Sequence, residues 1–226
     1  MARRSWVTTL LALAMAPLAL TAGCGLESEP EPDDAEALPS EAPLELPGLP
    51  DVDSAREQLA ALTVAEPASM DGYSRDRFPH WNTEDGCTVR QQVLRRDGED
   101  VRVGDDCQPT SGTWLSPYDN VTVTEAGEID IDHMVPLANA WRSGADDWTD
   151  DEREVFANDL TRPQLLAVTA RTNREKGDQA PDTWLPEAEE FHCVYGRAWT
   201  AVKDHYGLTV TAQERDVLTE LLDTCA

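Results

Sequence analysis

Asp132, His133 and Asn173 are residue types that phosphodiester hydrolysis needs, and they stand in two short motifs, IDIDHMVPL and PQLLAVTARTNREKGD. Such a reaction requires a base to deprotonate water, a cation to neutralise charge building on the phosphorane and leaving oxygen, and groups that hold both in line. His133 supplies the base. Asp132 offers a hard anionic oxygen and Asn173 a neutral one, a donor set suited to Mg²⁺ or Mn²⁺ that leaves positions for water and phosphate. A zinc site would draw on more His or Cys.

These side chains must be positioned by the elements around them, whose order reads as strand, Asp-His, loop, strand, helix. Val121, Val123, Ile129 and Ile131 alternate with polar residues and predict strands, the last running into Asp132-His133. Leu137 to Arg142 reads as a short helical piece, and Asp150 to Leu160 as a helix capped by Thr149. Leu165 to Val168 is a short apolar strand, followed by a helix from Ala170 to Lys176 that Gly177 stops. Upstream, an aromatic stretch from Gly72 to Trp81 precedes a helix over Thr88 to Arg96, an Asp97-Gly98 turn, and strands at Val101-Val103 and Trp114-Leu115. Two helical patterns close the chain, Glu187 to Tyr206 and Thr211 to Leu222, the second with Glu214 three residues after its Thr211 cap. No internal repeat and no second catalytic motif is present.

Between residues 130 and 186 this pattern resembles the HNH, or ββα-metal, nucleases, in which Asp-His ends the first strand and Asn or His sits on the helix. The resemblance implies an α+β fold with a ββα-metal core, additional N-terminal strands and C-terminal helices. It implies His133 as general base, Asp132 and Asn173 as ligands of one divalent cation, Mg²⁺ or Mn²⁺, and a middle amide residue that fixes the loop carrying the histidine. Gln164, nine residues before Asn173, occupies that middle position; it departs from the Asn or His common there but makes the same amide hydrogen bonds with a longer reach. Asn158, in FANDL, competes for the role. From Tyr73 to Cys225 the chain is also similar to secreted HNH endonuclease-like proteins related to the C-terminal nuclease domain of GmrSD-type restriction enzymes, a likeness carried by RDRFPHW, SPYD, DIDHMVPL, FANDLTRPQL, NREKGD and WLP.

Arg142, Arg171, Arg174 and Lys176 fall on or beside the proposed metal-site helix and the histidine loop, where phosphate would approach. The plainer alternative is helix-surface charge paired with Glu175, Asp178 or Asp159. Asp130 shares a strand face with Asp132 by two-residue periodicity, either supporting a ligand from behind or as an exposed strand carboxylate. His80, His192 and His205 have no partner at ligand spacing and read as packing or surface residues. Trp141, Trp148, Trp184 and Trp199 have flat faces on which a base would stack, although core packing is the commoner use of tryptophan.

Composition sets the context. Residues 1 to 24 read as an export signal, with Arg3 and Arg4, an apolar run from Val7 to Leu20, and Thr21-Ala22-Gly23-Cys24, which resembles the lipobox of bacterial lipoproteins. Diacylation of Cys24 would suffice for a stable membrane anchor facing outward, and a secreted protein results if Cys24 is not lipidated. Residues 25 to 66 carry twelve acidic residues against one arginine, with repeated prolines, and read as a tether holding a short helix at Ser54 to Val64 capped by Asp53. Residues 67 to 226 remain as one nuclease-like domain with a net charge of −17 in a chain of −26. Such a surface repels nucleic acid at long range, so a bound cation and local arginines must offset it. Cys87, Cys107, Cys193 and Cys225 are an even set in an exported chain, which predicts two disulfides, and locality pairs Cys87 with Cys107 and Cys193 with Cys225.

These readings converge on an exported, metal-dependent endonuclease that hydrolyses DNA, with RNA as a further substrate class, at low sequence specificity. The acidic surface motivates one alternative, a catalytically inactive surface binding module on an HNH scaffold. No protein partner is inferable from the sequence.

Overall fold

A computed structural model describes residues 46–225. The residues read as an export signal, Cys24 and the first part of the acidic stretch lie outside the described residues.

The described part of the stretch read as a tether is packed. Leu46, Ala55 and Leu59 are buried in the main core. Helix α1 (Val52–Ala61) carries the last two, and Asp51 rather than Asp53 caps it, its carboxylate accepting the Ser54 amide at 2.7 Å. A small hairpin, β1 (Thr83–Glu84) and β2 (Cys87–Thr88), then leads into α2 (Val89–Asp97), where Thr88 and Gln91 form a capping box. Three antiparallel strands follow, β3 (Glu99–Val103), β4 (Pro109–Ser116) and β5 (Val121–Val123), in that spatial order.

The second half runs β6 (Ile129–His133), α3 (Leu137–Arg142), α4 (Asp150–Ala157), β7 (Leu165–Thr169), α5 (Ala170–Lys176), α6 (His192–His205) and α7 (Ala212–Asp223). The architecture is therefore mixed α and β, with seven α-helices and three small sheets among the described residues. Two helices are shorter than their patterns predict, each for a tertiary reason. α4 stops at Ala157 because the Asn158 side chain donates to Pro79 O and Glu154 O, both at 2.8 Å, and accepts the Asn82 amide. α6 starts at His192 rather than Glu187 because the Ala188 amide donates to Tyr118 O at 3.0 Å, which takes that backbone out of a helical ladder.

Strand alternation divides the hydrophobic residues between two cores. Leu166 and Val168 of β7 face the larger core with Phe78, Trp141, Phe156, Tyr195 and Trp199. Leu165 and Ala167, with Ile129 and Ile131 of β6, face a smaller one built on α2 and Trp114. Two disulfides, Cys87–Cys107 and Cys193–Cys225, brace the periphery, and the second joins α6 to the chain end just past α7.

Candidate functional site

β6 and β7 pair antiparallel, with Asp132 opposite Leu166 and His133 opposite Leu165, and α5 follows β7 without a linker. Two strands and a helix thus form one unit at the boundary between the two cores. Ile129 and Ile131 point into the smaller core, so Asp130 and Asp132 face α5. Gly177 ends α5 with φ +55°, a left-handed conformation suited to glycine, and its amide donates to Asn173 O at 3.0 Å.

Asp132 is buried and doubly held. Its Oδ2 accepts from the Tyr118 hydroxyl at 2.6 Å and from Lys176 Nζ at 2.5 Å. The same ammonium donates to His133 O at 2.8 Å and Met134 O at 3.0 Å, so Lys176 clasps the start of the loop that leaves β6. Burial alone pushes the Asp132 carboxyl up and the Lys176 ammonium down, and their mutual attraction opposes both shifts. Three oxygen acceptors around one nitrogen favour the charged pair. The Tyr118 hydroxyl is pushed well above its usual range by burial and by the adjacent carboxylate, so it stays protonated and donates.

His133 lies at the end of β6 with its Nε2 2.9 Å from Ala157 O. A carbonyl can only accept, so Nε2 carries the proton and Nδ1 keeps the lone pair. Burial lowers the imidazole pKa to about 3, the Ala157 carbonyl working against that shift and the charges of Arg75, His80 and Lys176 adding to it. His80 and Trp81 wall the ring, with centroids 6.1 and 5.6 Å away.

Gln164 is fully buried in front of β7. Its Oε1 accepts the Val135 amide at 3.1 Å, its Nε2 donates to Val135 O at 3.0 Å, and its own carbonyl accepts the Met134 amide at 2.7 Å. These bonds fasten the two residues after His133. Asn158, the competing amide, instead fastens Pro79 and Asn82 at the end of α4.

Asp132, His133 and Asn173 line one cavity of about 420 Å³, together with Met70, Tyr73, Arg75 and Arg174 among others. The Asn173 amide donates to Asp130 Oδ2 at 3.3 Å through Nδ2, which leaves its Oδ1 outside that bond. Both hydrogen bonds to Asp132 fall on Oδ2 and leave Oδ1 outside them as well. One carboxylate oxygen and one amide oxygen beside a cavity of this volume fit a hard cation that completes its shell with water and phosphate. Among the described residues no group of three or more His, Cys, Asp or Glu is arranged to hold a metal ion, so a closed all-protein cage is not what this donor set offers.

The four expected phosphate contacts separate. Arg174 lines the cavity, mostly exposed, 3.9 Å from Asp130. Arg171 is engaged by Asp119, Glu175 and Glu187, which hold its guanidinium above its usual pKa. Arg142 is bound by the carboxylate and backbone carbonyl of Asp178 and lines a different cavity, beside Asn139 and Ser143. Lys176 differs most from expectation: it is fully buried beneath the site, so solvent phosphate cannot reach its ammonium. Sequence reasoning assigned no role to Tyr118, Arg75 or Trp81 and read His80 as a packing or surface residue. The only signal for them was the RDRFPHW and SPYD segments, polar and aromatic residues with no place in a helical or strand pattern.

Residues 89–221 match the family model described as GmrSD restriction endonucleases, C-terminal domain. The chain is 51% identical over 180 residues, 79% of its own length and 88% of the relative's, to a protein of Arthroderma benhamiae described as an uncharacterized secreted protein. No solved structure matches.

Proposed function

This chain belongs to the family of GmrSD restriction endonuclease C-terminal domains, and on that premise we propose that it is an exported endonuclease of the HNH type, hydrolysing DNA, and RNA as a second substrate, with one Mg²⁺ or Mn²⁺. The observation that carries this reading is the convergence of Asp132, His133 and Asn173 on one cavity at the end of a strand-strand-helix unit.

His133 acts as the base. Its Nε2 proton is committed to Ala157 O, so the Nδ1 lone pair receives a proton from water. Desolvation keeps the resting imidazole neutral near pH 7. An arriving phosphodiester brings negative charge to the ring, which raises its proton affinity toward the range where a base is effective. Gln164 and Lys176 fix the backbone on either side of this step through Val135, His133 and Met134. Asp132 and Asn173 would hold the cation, which when bound supplies positive charge for the phosphorane and the departing 3′ oxygen. Lys176 and Tyr118 orient the Asp132 carboxylate from behind.

The relative's description as secreted agrees with the N-terminal export pattern, and we extend it to a lipid anchor at Cys24. The mature wild type is expected to partition into detergent and Cys24→Ala into the aqueous phase; equal partition of both rejects the anchor.

Incubation of the full chain with supercoiled plasmid tests the enzyme. Nicking that requires Mg²⁺ or Mn²⁺, stops with EDTA and disappears in His133→Ala is expected. Nicking unchanged in His133→Ala rejects the assignment, and no nicking by the wild type under any of these cations favours the inactive binding module.

A further inference from the structure

The wall around His133 is not built by the family-matched span alone. That span begins at residue 89, whereas Met70, Tyr73 and Arg75, which line the cavity, precede it. His80 and Trp81, whose rings pack on His133, precede it too.

This earlier segment is anchored along its length. The Ala68 amide donates to Arg142 O at 2.8 Å, and buried Phe78 packs on Tyr73, Trp141 and Phe156. The buried Arg153 donates to Arg77 O at 3.1 Å, and Asn158 holds both Pro79 O and the Asn82 amide. Trp81 takes a left-handed backbone with φ 67°, which a bulky residue adopts only where its surroundings over-determine it. Between these anchors Arg75 opens a single 3₁₀ turn, Arg75–Arg77, with a fixed backbone and an exposed side chain.

Arg174 lines the same cavity and lies 3.9 Å from Asp130; the other neighbouring cations are committed elsewhere. Arg77 pairs with Asp150, Arg142 with Asp178 and Arg171 with three carboxylates. Both lysines of the chain are fully buried in ion pairs. Arg75 forms no ion pair among the described residues, yet it lines the cavity of the base. In so acidic a chain, a guanidinium without a carboxylate partner at that place, across from Arg174, is a group an anion would meet.

We propose that Arg75 is a phosphate-contacting residue, its guanidinium donating to the non-bridging oxygens of the phosphodiester held at His133, so that residues 70–81 complete the site from outside the family-matched span. The proposal rests on the nuclease reading above. In the step it assists, a water oxygen bonds to phosphorus, its proton passes to His133 Nδ1, and the phosphorus bond to the 3′ oxygen breaks. Arg75 shares the charge that accumulates on the non-bridging oxygens and makes no covalent bond.

The test uses the full chain and a fluorescein-labelled single-stranded DNA, with anisotropy in EDTA across a salt series and cleavage in Mg²⁺ followed in parallel. Arg75→Ala, Arg75→Lys and Arg215→Ala are compared with the wild type; Arg215 is an exposed arginine on α7 that lines a separate cavity. Arg75→Ala should bind about tenfold more weakly or worse, as loss of a charged hydrogen-bond pair does. Its log-affinity against log-salt slope should shrink by about 0.7, one phosphate contact on a single strand. Arg75→Lys should recover part of both, and Arg215→Ala should match the wild type. A loss of cleavage without loss of affinity supports a contact formed only in the transition state. Unchanged affinity, slope and cleavage in Arg75→Ala overturn the proposal while the nuclease reading stands. A wild type that neither binds nor cleaves overturns both.

Discussion

Lys176 Nζ lies 2.5 Å from Asp132 Oδ2, and both side chains are buried. A second buried pair, Lys203 with Glu214 at 2.7 Å, lies across the indole of Trp199, and both ammonium groups are 5.7 Å from that ring. A residue type usually spent on solubility is here spent on fixing carboxylates, and in the first pair the carboxylate is the candidate metal ligand. Removing one member strands the other charge in a region of low dielectric.

Lys176→Met should therefore lower stability by about 3 kcal/mol or more, since breaking a buried pair leaves an uncompensated charge. Urea denaturation of the two proteins side by side measures it. A midpoint within experimental error of the wild type would mean that Asp132 does not depend on the ammonium.

Gln164→Leu should remove both clasps on Val135 without a large change of volume. Two buried backbone groups then lose partners, at roughly 1 to 3 kcal/mol each. Plasmid nicking should fall at the same time, because the residues that follow His133 lose their anchor. Wild-type stability together with wild-type nicking in this variant would assign the loop's position to other contacts.

His133 should make the protein acid-sensitive above the range where carboxylates titrate. Its folded pKa, about 3, lies below the unfolded value of 6.5. Between those values the unfolded chain binds the extra proton, so stability rises with pH through the window and is lost as pH falls. Going from pH 7 to pH 5 should cost roughly 2 kcal/mol from this residue, at about 1.4 kcal/mol per pH unit. Stability curves of wild type and His133→Gln at the two pH values isolate the term; equal losses in both would remove His133 as its source.

Cys225→Ser should loosen the C-terminal helix pair. The Cys193–Cys225 bridge closes a loop of 32 residues, and loop entropy puts its loss at about 3.5 kcal/mol. Thermal melting should show the same decrease in the Cys193→Ser, Cys225→Ser double variant. A double variant as stable as the wild type would place the stability of that end in the packing of α6 and α7 alone.

Much of this architecture is legible in the sequence because it rests on local physics. The alternation that ends at Asp132-His133, the Thr149 and Thr211 capping boxes, the seven residues of α5 and its stop at Gly177 are set by neighbours within a few positions. The pairing of the four domain cysteines follows chain proximity on a longer scale, over 20 and 32 residues. The residue types of the site were visible for a similar reason: base, hard-oxygen ligand and neutral ligand are chemical identities that need no coordinates.

Only the tertiary structure decided which charges are free. Arg142, Arg171, Arg174 and Lys176 look equivalent along the chain, yet one is bound by Asp178, one by three carboxylates, one lies open at the cavity, and one is buried under Asp132. Arg75 stands more than fifty residues before His133 in sequence and beside it in space. A charge's partner is fixed by distance and by access to water, and sequence separation carries neither.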